Sequence, residues 1–162
     1  MDKSEDINEW LRLIKQDLSV ANHLQTTFNP VPVEHVCFHY QQATEKALKA
    51  VLKYHEQDYP NTHDIARLIK KCEPFTGDLG IERKIAKRMN AFAVEVRYLE
   101  HFDDWSMTDV LLAQRCATQV VDKVGAHIAS HQSERQAIES YLSGDSAHQA
   151  TIDFDSVKGR WL

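Results

Sequence analysis

Apolar residues recur at three- and four-residue steps along most of the chain. Ile7, Trp10, Leu11, Ile14, Leu18, Ala21 and Leu24 form one such series, which predicts an amphipathic helix ending before Asn29-Pro30. Pro30-Val31-Pro32 is the connector to a second helix, predicted from about Val33 to Gln57. There, Tyr40, Ala43, Ala47, Ala50, Val51 and Tyr54 keep an apolar 3.6-residue period, while Gln41, Glu45 and Leu48 line another side read as a contact face. Pro60 blocks continuation and pushes Tyr59 out of helical geometry. A short third helix is predicted over Asp64 to Cys72, capped by Asn61 or Thr62 and with Asp64 at the positive end of its dipole. Pro74 to Gly80 reads as a loop.

Ile85, Met89, Phe92, Ala93 and Val96 mark a fourth helix from about Ile81 to Tyr98. The last long helix begins near Ser106, which caps it with Asp109 three residues on, and carries Val110, Ala113, Ala117, Val120, Val121, Val124 and Ile128. No segment has strand periodicity. Short links between amphipathic helices favour antiparallel neighbours, so the expected fold is all-α: an up-and-down bundle of four principal helices plus one short helix, with a C-terminal extension. The bundle is placed at residues 1–130. Residues 131–162 form the extension and tail, with Arg135 to Leu142 a further helical stretch and Gly144 to Gln149 a link.

Composition narrows the class. At 162 residues one core is expected, and a net charge of −5 argues against a general nucleic-acid coat while leaving room for a local basic stripe. Cys37, Cys72 and Cys116 are isolated, without CxxC spacing, so neither a disulfide framework nor a zinc ribbon is expected, and a cytoplasmic location fits. The start MDKSEDINEW is acidic and polar, unlike a signal peptide, and no apolar run approaches the ~20 residues that span a bilayer. No membrane association is expected.

Three strings carry more than periodicity: His39-Tyr40-Gln41-Gln42-Ala43-x-Glu45-Lys46-Ala47-Leu48-Lys49-Ala50, then Pro60-x-Thr62-His63-Asp64-Ile65, then Val94-Glu95-Val96-Arg97-Tyr98. In order and spacing they resemble the HEPN family (higher eukaryotes and prokaryotes nucleotide-binding), over roughly Asp6 to Ser130. The resemblance implies a helical bundle that pairs into a homodimer and binds a nucleotide, an RNA or a nucleotidyltransferase-fold partner. Catalytic members of that family are metal-independent endoribonucleases of toxin–antitoxin pairs, using an Arg followed by four to six residues and a His. The imidazole moves the proton of a ribose 2′-hydroxyl and the guanidinium stabilises charge on the phosphate. Arg97 and His101 are the candidates here, but only three residues intervene, and Glu95, Glu100, Asp103 and Asp104 crowd the Arg. Asp103 also stands where some family toxins carry a modifiable Tyr. These departures favour a binding module without robust catalysis over a nuclease, with Arg97 bridging carboxylates.

Two further groups are candidates. His39, Gln42, Lys46 and His63 either contact a nucleotide or form a polar network seating the third helix on the second. Arg83, Lys84, Lys87 and Arg88 form two i,i+4 pairs, either a phosphate-contacting stripe or a solvated face. His127 and His131 have a metal-compatible spacing, yet no HExxH pattern or third ligand accompanies them, so no metal and no cofactor is expected.

Overall fold

A computed structural model describes residues 3–59, 61–94 and 105–143. Helices α1 (Lys3–Thr27), α2 (Val33–Tyr54), α3 (Ile65–Thr76), α4 (Arg83–Val94) and α5 (Met107–Leu142) are the regular elements of these residues, and the fold is the all-α bundle expected. The chain divides into two compact units, Met1–Ile128 and Ala129–Leu162; the bundle lies in the first. The described part of the second is the polar end of α5, where Tyr141 and Leu142 are exposed.

Helix α2 is the centre of the bundle. It packs against α1, α3 and α4, and its Val36, Ala43, Ala47, Leu48, Val51 and Leu52 are buried with Ile65 and Leu68 of α3, Met89 and Phe92 of α4, and Val110, Ala117 and Val120 of α5. The side read from sequence as a contact face is also inside: Gln41 and Leu48 are fully buried and Glu45 is 6% exposed. A helix covered on both sides must satisfy its polar groups internally. Thr44 Oγ1 therefore donates to the Tyr40 carbonyl, and the Tyr40 hydroxyl donates to Gln25 Oε1 of α1.

Several boundaries differ from the sequence expectation. Helix α2 ends at Tyr54, before Gln57, because Glu56 takes a positive φ of 57° and the Gln57 N–H folds back to the Leu52 carbonyl. The cap of α3 is Asp64, with neither Asn61 nor Thr62 in that role; Asp64 Oδ1 accepts from the Arg67 N–H at 3.2 Å. Thr62 instead supports the cap, its Oγ1 accepting from the Asp64 N–H. Helix α3 continues past Cys72 and through Pro74 to Thr76, closing at Gly77 with φ 69°. One proline in the last turn removes one N–H, and the bond from the Gly77 N–H to the Glu73 carbonyl still closes the helix. Helix α5 begins as expected, with the Ser106 N–H donating to Asp109 and Ser106 Oγ accepting from the Thr108 N–H. It then runs unbroken through the polar residues after Ser130.

Candidate functional site

The polar residues of α2 are arranged around two carboxylates. Asp17, on α1, receives His39 Nδ1 at 2.9 Å on one oxygen and the Lys46 ammonium on the other. Positions 39 and 46 lie two turns apart on α2, so one α1 carboxylate clamps both. Burial by itself would raise the Asp17 carboxyl, but the hydrogen bonds from His39 and Lys46 outweigh it and hold the group below the usual carboxylate range.

Glu45 is the second hub. Lys49 Nζ donates to one oxygen at 2.7 Å, while Gln41 Nε2 at 3.0 Å and His63 Nδ1 at 2.9 Å share the other. Gln42 Nε2 extends the chain by donating to Gln41 Oε1 at 2.7 Å. Burial again acts upward on the carboxyl, and the bonds from Lys49, Gln41 and His63 reverse it, leaving Glu45 lowered. His63 belongs to the turn before α3, so this contact fastens that turn to α2.

From α4, Asn90 completes the joint: its Oδ1 accepts the first N–H of α3, from Ile65, at 2.8 Å, and its Nδ2 donates to Asp64 Oδ1 at 3.1 Å. The backbone bond from Arg67 does most to lower the Asp64 carboxyl. Thus His39 and Lys46 sit with Asp17 in a cluster that joins α1 to α2, whereas Gln42 and His63 sit in a second cluster around Glu45 that joins α2 to the turn before α3, and both lysines of this face, Lys46 and Lys49, are bound to carboxylates. Asp17 and Asn90 carry no local signal in the sequence.

The basic residues of α4 part company. Arg83, Lys84 and Lys87 are exposed, and Lys84 makes only a surface pair with Glu82, of the kind that contributes little. Arg88 turns inward: its Nε donates to Asp109 Oδ1 at 2.8 Å, and its guanidinium lies over Phe92 at 5.3 Å and Trp105 at 5.9 Å. Burial pushes Asp109 up, but the Arg88 and Ser106 hydrogen bonds bring it down overall. Arg88 thereby ties α4 to the start of α5.

A shallow, open cavity of about 450 Å³ on α5 is lined by Leu111, Gln114, Arg115, Thr118 and Gln119. Gln25 of α1 donates to Gln114 beside it at 3.3 Å, and apolar Val20, Phe28, Met107 and Leu111 are exposed on these two helices and the residue after α1. The three cysteines are buried, and burial pushes the thiols of Cys37, Cys72 and Cys116 up to about 12, which makes them packing groups rather than nucleophiles. Arg97 and His101, with Glu95, Glu100, Asp103 and Asp104, lie outside the described residues.

The HEPN domain profile matches residues 7–127, three-quarters of the chain. The chain belongs to the HEPN family. Its fold is similar to that of an archaeal HEPN homologue, with a TM-score of 0.57 and 20% sequence identity over 75% of this chain and 97% of that one. No curated protein matches. In this HEPN domain the first two resembling strings are physical partners: Glu45 of one holds His63 of the other. No helix among the described residues is long and apolar enough to cross a membrane.

Proposed function

We propose that this HEPN domain is a binding module for a single-stranded RNA, contacted through the phosphates by Arg83, Lys84 and Lys87 of α4, and that it works as a homodimer without robust catalysis. One observation carries the reading. The lysines of the α2 face are neutralised by Asp17 and Glu45, whereas those three α4 cations stand exposed at one side of a single helix. Phosphate contacts need cations that water and a ligand can both reach, and release of counterions then drives binding. The exposed apolar side chains of α1 and α5 support pairing, because a second copy would cover them.

Fluorescence anisotropy with a short labelled RNA tests the reading. Binding is expected at low salt and should weaken steeply as salt rises; Lys84→Glu with Lys87→Glu should reduce it by about tenfold and flatten the salt dependence. Binding untouched by the double reversal would remove α4 as the site. A nucleotide run alongside separates a mononucleotide ligand from a polymer.

The sequence motif Arg97-x-x-x-His101 keeps a second reading in play, that of a metal-independent endoribonuclease with these two residues as its active pair. Incubation with RNA in EDTA decides it. Cleavage lost in both Arg97→Ala and His101→Ala would replace the binding-module reading.

A further inference from the structure

Residues 65–94, which hold α3 and α4, carry seven Lys and Arg against three Asp and Glu, in a chain whose net charge is −5. The excess has a place in the fold. Helix α3 buries Ile65, Leu68, Ile69 and Cys72 and leaves Arg67, Lys70 and Lys71 exposed. One flank of α3 lies on the α2 side: Cys72 Sγ donates to the Leu48 carbonyl, Phe75 stacks on His55 at the end of α2 with centroids 4.2 Å apart, and Lys71 Nζ donates to the Asp58 carbonyl at 3.3 Å. At about 100° per residue, Arg67 and then Lys70 follow Lys71 round the helix, away from that flank.

Helix α4, which also packs on α3, has two flanks as well. Arg88 leads to Asp109 at the start of α5, whereas Asn90 leads to α3, where it bonds Asp64 and the Ile65 N–H. Lys87 and Arg83 stand three and seven positions before Asn90, along that same α3 side, and Lys84 lies on the outer face. Among the described residues, no carboxylate pairs with Lys70, Arg83 or Lys87. Asp64 lies near Arg67, but its Oδ1 already accepts from the Arg67 N–H and from Asn90. Packed helix axes stand ~8–10 Å apart, about one Debye length at physiological salt, so cations on adjoining flanks act on one strand together.

Given RNA binding by α4, on which this rests, we infer that the strand crosses both helices, with Arg67 and Lys70 of α3 as phosphate contacts alongside Arg83, Lys84 and Lys87 of α4. A single helix presents its cations along one line, whereas the pair presents them over a width that successive phosphates of an unpaired strand can follow. Glu73 opposes them: exposed and three positions beyond Lys70, it repels the same phosphates. The number of contacts is measurable, because each adds about −0.7 to the slope of log affinity against log salt for a single strand. Contacts from α4 alone give a slope of about −2, and those from both helices about −3.5.

The experiment titrates the full chain against a short labelled single-stranded RNA at several salt concentrations. A wild-type slope of about −3.5 is expected. Arg67→Gln with Lys70→Gln should weaken binding about tenfold at low salt and bring the slope to about −2. Both side chains are exposed, and the part of Arg67 that serves the α3 cap is its backbone N–H, which Gln keeps. Circular dichroism checks that each variant is folded. Lys71→Gln, on the α2 side, should leave the slope unchanged and the affinity within about twofold, and Glu73→Gln should tighten binding about two- to threefold, a gain that no folding defect produces. Unchanged binding and slope in the α3 pair, while Lys84→Glu with Lys87→Glu still weakens binding, would overturn the α3 contacts and leave the α4 reading standing. Binding indifferent to both pairs would remove the two together. A loss in Lys71→Gln equal to that of the α3 pair would overturn the crossing path, since any cation of α3 would then serve.

Discussion

Glu45 shows how a single side chain can be both a motif residue and a structural hub. Its carboxylate is 7% exposed and faces Lys49, itself 11% exposed, so neither charge has water to fall back on. Replacing Glu45 by Gln leaves Lys49 buried without its counter-charge, and a loss of about 3 kcal/mol is expected in urea unfolding at neutral pH. The same residue sets an acid response. Asp17 and Glu45 both have lowered carboxyls in the fold, so the stability they contribute is complete above the ordinary carboxylate range, about pH 4, and is lost as pH falls through their lowered values. The urea midpoint of the wild type should therefore drop between about pH 5 and pH 3, and drop less in Glu45→Gln, where the Glu45 titration is gone. An equal drop in both would mean that Glu45 is not part of the acid response. Gly80 is a second residue with a definite expectation. Its φ is +70°, and a Cβ there would meet Gln119 Nε2 at 2.6 Å, the atom that donates to the Leu79 and Gly80 carbonyls. Gly80→Ala should cost about 1–2 kcal/mol from backbone strain, read as a lower urea midpoint.

Among the elements, α3 depends most on its neighbours. Its N-terminus is capped by its own Asp64 and by Asn90 of α4, and those two side chains also bond each other. Asp64→Ala should cost about 1 kcal/mol, the usual loss of an N-cap, and Asn90→Ala about 1–3 kcal/mol, because the part-buried Ile65 N–H loses its acceptor. The double variant should cost less than the two singles together, since each single change already breaks the bond between them. Strict additivity in denaturation would show that the caps act independently. The Pro60 break and the cap formers after it located α3, and Ile65, Leu68, Ile69 and Cys72 are the side chains it buries. Its cap lies two or three residues beyond the expected Thr62 or Asn61 because Asn61, Thr62 and Asp64 are all cap formers, and only the partner on α4 distinguishes them.

For the molecule as a whole, exposed Val20, Phe28, Met107 and Leu111 motivate the expectation of a dimer. Multi-angle light scattering should return twice the chain mass at micromolar concentration, and Leu111→Glu, which sets a charge among these side chains, should shift the distribution to monomer. A monomer across the whole range for the wild type would remove the pairing from the proposed function.

What the sequence by itself determined is local in origin. Helix periodicity, the proline and glycine breaks, and the Ser106–Asp109 capping box depend on residues within a few positions of one another, where backbone sterics and the 3.6-residue repeat act directly. The HEPN strings were legible for the same reason, and they marked His39, Gln42, Lys46 and His63 as a group. Only the tertiary structure decided what that group does in the bundle. Asp17 lies 22 positions from His39 and 29 from Lys46, and Asn90 lies 25 from Ile65. It likewise turned Arg88 to Asp109, 21 residues on, and brought His55 to His127. Charge and hydrogen bonding act through space over a few ångströms, and no periodicity along the chain records which distant residue will stand at that distance once the helices have packed.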